Sequence, residues 1–422
     1  MILRKIFRFF KKLNELEKKT LILLFFAQSF NGLCLGILLL QEVILRKTLS
    51  GTPLQITLLT MVNPVANIFI VYVMDFFSII RRRNLVFLLL GVFGKLILVS
   101  MMFVDSSVPF LTVLILYSVL NVLLSPFLTG IMQRNLRKMN RGVIYGLTGS
   151  ASTIFSLVAS VAAGALLDFN QAYFKSLFAF AGVMGFLCCY FYSKIQVLDG
   201  DSHYRPSGKK ISILKPLKQS LKLLKNDRDF MLFETFFFIY GMGFMIILPS
   251  IPIYFVDMLE LDYSQISMAK GFIGQLGLIL FLPLMGFISD RINPMLFSAG
   301  SFFLLSFYPL LLFFSGFSLN PMLFVYLAFG VYSVSMAGVS ALWDLSAIFF
   351  AGERDSKSYQ VVHIFLTGIR GIIMPTAGFF LMRVSGVIPV FFVSFILYII
   401  ASLSMLLLYF SYRKRRASLP LQ

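Results

Sequence analysis

The chain has 422 residues, of which 59% are hydrophobic and 13% are charged, and its formal net charge is +19 at pH 7. A globular surface needs about twice that charged fraction, so the composition excludes a soluble domain and predicts an integral membrane protein. Basic loops on the cytoplasmic side of a membrane account for the positive charge, so we expect no nucleic-acid partner.

The cysteines and histidines indicate neither a metal site nor a disulfide framework. Cys34, Cys188 and Cys189 all lie in apolar runs, and the histidines are His203 and His363. Their spacing fits no zinc motif. The sequence also lacks a phosphate-binding Gly-x-x-x-x-Gly-Lys-Ser/Thr loop and a Gly-x-Gly-x-x-Gly turn after a strand. We therefore expect no metal, no cofactor and no enzymatic activity.

The chain begins with a basic segment, residues 1–19, in which seven lysines and arginines alternate with apolar residues. This pattern predicts an amphipathic helix on an anionic membrane surface. The apolar run that follows, residues 20–44, is too long for a signal peptide and has no small-residue cleavage site, so it is the first predicted membrane span.

Eleven further apolar segments follow the first span. They are residues 53–74, 84–104, 109–131, 143–167, 173–195, 229–256, 265–289, 295–316, 321–350, 359–382 and 387–411. Each is near or above the ~20 residues that a helix needs to cross a ~30 Å hydrocarbon layer. The sequence therefore predicts an all-α integral membrane protein with twelve transmembrane helices.

The distribution of basic residues predicts the orientation. With the N-terminus inside, the cytoplasmic segments hold 30 of the 37 lysines and arginines, including those of the tail, residues 412–422. Both termini are thus expected in the cytoplasm, in a bacterial cytoplasmic (inner) membrane. The basic linker 197–228 separates six spans from six, and Leu214, Leu217, Leu221 and Leu224 give it an amphipathic helical pattern.

An internal repeat supports two related halves, residues 20–196 and 229–411. Three landmark pairs keep a nearly constant offset: Asp75 and Asp290 are 215 residues apart, while Tyr145 and Tyr359, and Gly164 and Gly378, are 214 apart. A constant offset predicts two pseudo-symmetric six-helix bundles.

The short loop after the eighth span carries an acid followed by a base, Asp290 and Arg291, four residues after Gly286. An ion pair in so tight a turn, beside a glycine that admits a neighbouring helix, suits a reversible latch. It resembles the loop motif of the major facilitator superfamily, although Asn293 and Pro294 stand where that motif has a further glycine and base.

Twelve spans, a basic linker and two halves extend the resemblance over the whole chain. It implies two bundles that rock about a central cavity, with spans 1, 4, 7 and 10 lining it. In the first half the latch is degraded, with Asp75 separated from Arg81 and no glycine before it. Span five lacks the Gly-Pro pair of proton-driven drug exporters, and span four lacks their arginine; both absences count against a standard multidrug antiporter.

Charged groups at membrane depth are costly unless they are paired or hydrated. Arg370 lies well inside span eleven on the face of His363, where it either binds an anionic solute or forms a fixed pair with Asp344. Asp344, Glu234 and His363 are the candidate proton-coupling groups, each with a structural alternative as an end residue or hydrogen-bond partner. Lys95, at the middle of span three, is expected to pair with Glu42.

Neutral polar side chains form stripes that either line a hydrated cavity or join helices. The candidate solute-binding members, with Arg370, are Gln28, Asn31, Asn63, Asn67, Asn121 and Gln275. By contrast, the small residues of span five, Ser152, Ser156, Ala159 and Ala163, predict helix packing.

The sequence thus predicts a secondary transporter that works by alternating access. Its expected partners are membrane lipids and a small polar solute, anionic or zwitterionic, with proton coupling as an open option; a monomer is expected. One alternative is an exporter or flippase of amphipathic drugs or lysolipids, and another is a polytopic membrane enzyme or scaffold.

Overall fold

A computed structural model describes residues 13–77, 83–196, 222–289, 291–351 and 356–417. The ordered elements in these ranges are all helices, and no strand occurs among them. Ten of the helices are long and apolar enough to cross a membrane, and Ser107–Val122 is a shorter apolar helix. The prediction of an all-α, multi-pass membrane protein is confirmed.

We number the helical segments α1–α12 so that each corresponds to one predicted span. In the first six, α1 is Glu15–Leu38 with the short extension Gln41–Lys47; α2 is Pro53–Phe77; α3 is Arg83–Leu89, continued by a π-helical turn Leu90–Lys95 and a 3₁₀ segment Leu96–Phe103; α4 is Ser107–Val122 followed by Leu124–Asn135; α5 is Lys138–Phe169; and α6 is Phe174–Ser193.

The other six follow the linker. Here α7 is Arg228–Ile246, extended by Ser250–Ile253 and the π-helical Tyr254–Met258; α8 is Tyr263–Ser267, the π-helical Met268–Ile273 and Gly274–Ser289; α9 is Pro294–Ser315; α10 is Pro321–Ala351; α11 is Ser356–Ser385; and α12 is Val387–Ala417. The predicted amphipathic helices of 1–19 and 197–228 lie largely outside the described residues.

Short polar side chains cap the starts of three helices. The Asn14 side chain accepts from the Glu17 backbone N–H, and the Glu17 carboxylate accepts in return from Asn14 N–H, which makes a capping box. Asp227 caps α7 and Asn293 caps α9. These caps satisfy backbone donors that a helix start leaves free, and they fix where the spans begin.

Contacts divide the described residues into two compact units. The first unit falls within Met1–Gln41 and Val73–Lys209, and the second within Glu42–Tyr72 and Lys210–Gln422. Most of α2 therefore groups with the helices after the linker. The division into halves at the linker remains a sequence-based prediction.

In the first unit, α1 packs closely along α5. A Cβ atom added at Gly32 would lie 2.2 Å from the Ser152 carbonyl oxygen, and one at Gly36 would lie 2.3 Å from that of Ser156. Only glycine admits such a close backbone approach. The predicted packing role of the small residues on span five is confirmed.

The core of the second unit is aromatic. The rings of Tyr240 on α7 and Phe302 on α9 stack with centroids 4.3 Å apart, and Phe237 meets Phe302 edge-on at 5.5 Å. Such pairs add to the stabilisation from buried apolar area. This core fixes the face of α7 against which the charged residues of α11 pack.

Candidate functional site

Arg370 lies on α11 inside the second unit and is only 3% exposed. Its Nη1 donates to the Phe237 carbonyl oxygen at 2.8 Å. The guanidinium also lies 5.6 Å from the ring centroid of Phe237 and 5.8 Å from that of Tyr240. A neutral carbonyl and two aromatic faces thus hold the cation against α7.

Gly241 provides the space for this guanidinium. A Cβ atom at position 241 would lie 2.0 Å from Arg370 Cζ and 2.2 Å from Nη1, distances that no side chain can tolerate. The two residues are 129 positions apart in the chain, so no local sequence pattern connects them.

Glu234 and His363 form a buried pair about two turns away along the same two helices. His363 Nδ1 lies 3.0 Å from each carboxylate oxygen of Glu234, and the side chains are 2% and 3% exposed. The His363 ring is enclosed edge-on by Trp343 at 4.4 Å and Phe237 at 4.7 Å. Two of the three predicted proton-coupling residues therefore meet, on facing helices.

Three polar atoms around this cluster have no hydrogen-bond partner among the described residues. They are Arg370 Nε, His363 Nε2 and Tyr398 Oη, all with buried atoms. Because buried polar groups are nearly always paired, such atoms mark places where a proton, water or solute group can bind. We call Glu234, His363, Arg370 and Tyr398 the α7–α11 cluster.

The alternative of a fixed pair between Arg370 and Asp344 stays open, because the Asp344 side chain lies outside the described part of the structure. Within that part, Arg370 has no carboxylate at ion-pair distance. Among the described residues, the α7–α11 cluster holds its cation with neutral partners and its acid with an imidazole.

Helix α2 lies against α11 beside this cluster. A Cβ atom at Gly368 would lie 2.1 Å from Ile68 Cγ1, and one at Gly371 would lie 2.1 Å from Pro64 Cβ. The predicted amides Asn63, which is exposed, and Asn67, which is half-buried, are thus on a helix adjacent to α11. Of the other predicted polar residues, Gln275 is half-buried in the second unit.

In the first unit the predicted polar residues Gln28, Asn31 and Asn121 are all half-buried. All three remain candidates for solute contact.

The predicted latch is only partly visible. Arg291 is exposed, and its guanidinium carbon lies 3.8 Å from the ring centroid of Phe287. A Cβ atom at Gly286 would meet no atom of the described residues within 4 Å, so the close helix approach expected there is not observed. Asp290 and Arg81 lie outside the described residues, as does the Asp75 side chain; the latch remains a prediction.

Sequence reasoning missed a set of contacts between the α1–α2 and α7–α8 connections, all inside the second unit. The Arg46 guanidinium binds both oxygens of the Asp257 carboxylate, with Nη2 to Oδ2 at 2.6 Å and Nε to Oδ1 at 2.9 Å. Lys47 Nζ donates to the Leu261 carbonyl at 2.6 Å. Lys47 and Leu261 are 214 residues apart, which is the repeat offset. The 214-residue repeat offset could have predicted these contacts if it had been applied to the loops as well as to the membrane spans.

The expected pairing of Lys95 with Glu42 is wrong. Lys95 is fully buried, and its Nζ donates to the Tyr117 hydroxyl at 3.1 Å, while Glu42 pairs with Lys270 at 3.1 Å. The stem of Lys95 fills a niche against Gly185, where a Cβ atom would lie 2.8 Å from Lys95 Cδ. The error arose because charge alone cannot identify a phenol as the partner of a buried lysine.

Glu17 is a further charged residue that the sequence did not single out. Its buried carboxylate accepts from Arg137 Nη2 at 2.8 Å and from Asn140 Nδ2 at 2.8 Å. The carboxylate raises the pKa of Arg137, chiefly through this hydrogen bonding. The start of α1 is thus fixed to the turn before α5, within the first unit.

The fold has well-matched solved structures. A mutant form of the nucleoside transporter NupG is 15% identical with a TM-score of 0.69, covering 92% of this chain and 100% of that one. A bacterial homolog to the human lysosomal transporter Spinster, in an inward-facing and unoccupied conformation, is 12% identical with a TM-score of 0.67, covering 95% and 98%. A POT family transporter in complex with 5-aminolevulinic acid is 11% identical with a TM-score of 0.71, covering 92% and 95%. At such identities the likeness shows the fold alone.

A comparison with curated proteins found no match. The family model of the Major Facilitator Superfamily, in contrast, matches residues 22–363, most of the chain. With the transporter-like fold, this match shows that the chain belongs to the Major Facilitator Superfamily.

Proposed function

We propose that this transporter moves a small anionic or zwitterionic solute by alternating access, with Arg370 as the group that binds the anionic part. The observation that carries the proposal is the buried guanidinium, which has a carbonyl as its hydrogen-bond acceptor and an Nε with no partner among the described residues. A cation at membrane depth is expensive. A transporter that must bind and release an anion has a reason to keep a cation that meets no carboxylate in the described part of the structure.

The charges of the α7–α11 cluster support the proposal of proton coupling. With Glu234 ionised and His363 neutral, the charges of Glu234 and Arg370 balance. One further proton on His363 gives the cluster a net charge of +1, which favours an anion beside Arg370. By linkage, the bound anion favours that proton equally, so the two would bind and leave together. Asp344, whose side chain is not described, is the other candidate for this proton.

The contacts of Arg46 and Lys47 with the α7–α8 connection suit a closed gate at the non-cytoplasmic ends of the helices. In the proposed cycle these contacts break when the solute site opens to that side. The basic loops support an orientation with both termini in the cytoplasm of a bacterial cell, and we propose that the chain works as a monomer.

The test is uptake into sealed vesicles containing the purified protein. The panel contains small anions, amino acids, a dipeptide, a nucleoside and 5-aminolevulinic acid, each with and without an imposed pH gradient. The Arg370→Ala variant is compared with Arg383→Ala, which removes an exposed arginine from the same helix.

We expect wild type and Arg383→Ala to accumulate at least one anionic or zwitterionic solute, and Arg370→Ala to lose that uptake. Glu234→Gln is expected to retain exchange of the solute while losing its accumulation in response to the pH gradient. Equal uptake by Arg370→Ala and wild type would refute the role of the arginine. Extrusion of a lipophilic dye with no uptake of the panel would favour the exporter alternative.

A further inference from the structure

A narrow apolar groove lies between α8, α9 and α10 in the second unit. It encloses about 190 Å³. Its lining includes Met285 at the end of α8, then Leu296, Gly300 and Leu304 along α9, and Val334 and Ser335 on α10. The groove exists because α8 and α9 each pack along α10 and scarcely against one another.

The lining presents almost no polar atoms to an occupant. Two serines belong to the lining. The Ser335 hydroxyl donates to the Val331 carbonyl in its own helix at 2.8 Å, and Ser301 packs against Gly338, where a Cβ atom would lie 2.6 Å from Ser301 Oγ. Leu296, Gly300 and Leu304 recur every four residues and form one stripe of α9. A hydrated solute gains nothing from this surface, whereas a hydrocarbon chain does.

The length and position of the groove match one leaflet of a bilayer. From Pro294, where α9 begins, to Leu304 the helix rises ten residues, or ~15 Å, which is half of a ~30 Å hydrocarbon layer. With the orientation expected from the charges, the groove starts at the cytoplasmic surface and ends near the midplane. An acyl chain of the inner leaflet extends over the same distance, from the headgroups to the midplane.

The cytoplasmic end of the groove carries a cation. Ile292 lines the groove there, and the neighbouring Arg291 is exposed beside the Phe287 ring. A guanidinium at the level of the headgroups attracts an anionic phosphate. No other arginine or lysine lies in α9 or in the described residues of the loop before it.

We propose that this groove is a binding site for an anionic phospholipid of the cytoplasmic leaflet, with one acyl chain between α8 and α9 and the phosphate at Arg291. The bound chain fills the space that the weak contact of α8 with α9 leaves open. The site is separate from the α7–α11 cluster and does not depend on the identity of the transported solute.

Gly300 offers a direct test. A Cβ atom at Gly300 would meet no atom of the described residues within 4 Å, so Gly300→Leu can extend a side chain into the groove without a backbone clash. Gly330 on α10 is an equally open glycine outside the lining, so Gly330→Leu is the matched control. Delipidated proteins are titrated with phosphatidylglycerol or phosphatidylcholine and the bound lipid is counted by native mass spectrometry, with thermal unfolding as the check on folding.

We expect Gly300→Leu to weaken phosphatidylglycerol binding about tenfold, because the leucine displaces about two methylene groups of the chain. Gly330→Leu should bind phosphatidylglycerol like wild type. In Arg291→Gln, the preference for phosphatidylglycerol over phosphatidylcholine should fall about fivefold. Unchanged binding in Gly300→Leu, or an equal loss in both leucine variants, would overturn the site. An unchanged preference in Arg291→Gln would overturn the assignment of the headgroup.

Discussion

The close approach of Gly241 to Arg370 makes a quantitative prediction for the Gly241→Ala variant. The added methyl group would lie 2.0 Å from the guanidinium carbon and 2.3 Å from Nε. Atoms cannot share that space, so the guanidinium must leave its position. It would lose both the Phe237 carbonyl and the faces of the two aromatic rings.

The magnitude follows from the contacts that are lost. A buried hydrogen bond from a charged donor contributes about 1.5–3 kcal/mol, and a desolvated cation–π contact contributes about 2 kcal/mol. Alanine has a higher helix propensity than glycine, which offsets about 1 kcal/mol of this loss. We therefore expect Gly241→Ala to lower the free energy of unfolding by about 2.5–4 kcal/mol.

A double-mutant cycle separates this effect from a general defect in α7. In an Arg370→Ala background the methyl group has no guanidinium to displace, so Gly241→Ala should then be neutral or slightly stabilising. The assay is unfolding of the purified protein in mixed micelles. Gly330→Ala is the control, since its new methyl group meets no atom within 4 Å in the described part of the chain. An equal loss from Gly241→Ala in both backgrounds would refute the described position of the guanidinium.

Two further outcomes test contacts that the sequence did not predict. In a double-mutant cycle of Arg46→Ala and Asp257→Ala, we expect a coupling free energy of about 0.2–1 kcal/mol. This coupling should weaken as salt is added, because both side chains are partly exposed. A coupling free energy of zero at low salt would contradict the ion pair. Lys95→Met should leave the midpoint of thermal unfolding unchanged or raise it. Methionine fits the niche and removes a buried charge that has no carboxylate partner among the described residues. A clearly lower midpoint would mean that the hydrogen bond to Tyr117 stabilises the fold.

The fold was predictable because the physics that sets it is local. A helix must satisfy its backbone inside the bilayer, so long apolar runs report spans directly. The grouping of Glu42–Tyr72 with the helices after the linker had no such signal. It depends on contacts between positions far apart in the chain, such as Gly371 against Pro64, and a single sequence carries no record of them.

The sequence predicted which residues belong to the candidate site better than it predicted which residues they contact. Arg370, Glu234 and His363 were identified because an ionisable group at membrane depth is energetically unfavourable unless it is paired or has a function. The partners of buried cations were harder to predict, since carbonyls and phenols are present everywhere. Arg370 meets the Phe237 carbonyl and Lys95 meets Tyr117, and neither partner has a charge that a sequence pattern could reveal.

The surroundings of these contacts fit the proposed alternating access. Arg137 is 49% exposed, but the buried Glu17 carboxylate also accepts from Asn140 and from the backbone N–H groups of Asn14 and Arg137, so loss of these partners would leave a buried charge unpaired. The Arg46 and Asp257 side chains keep 25% and 32% exposure, where an ion pair contributes only about 1 kcal/mol or less. In the proposed cycle, a gate made of such pairs would open and close at little cost, whereas loss of the partners of Glu17 would expose the cost of an unpaired buried carboxylate.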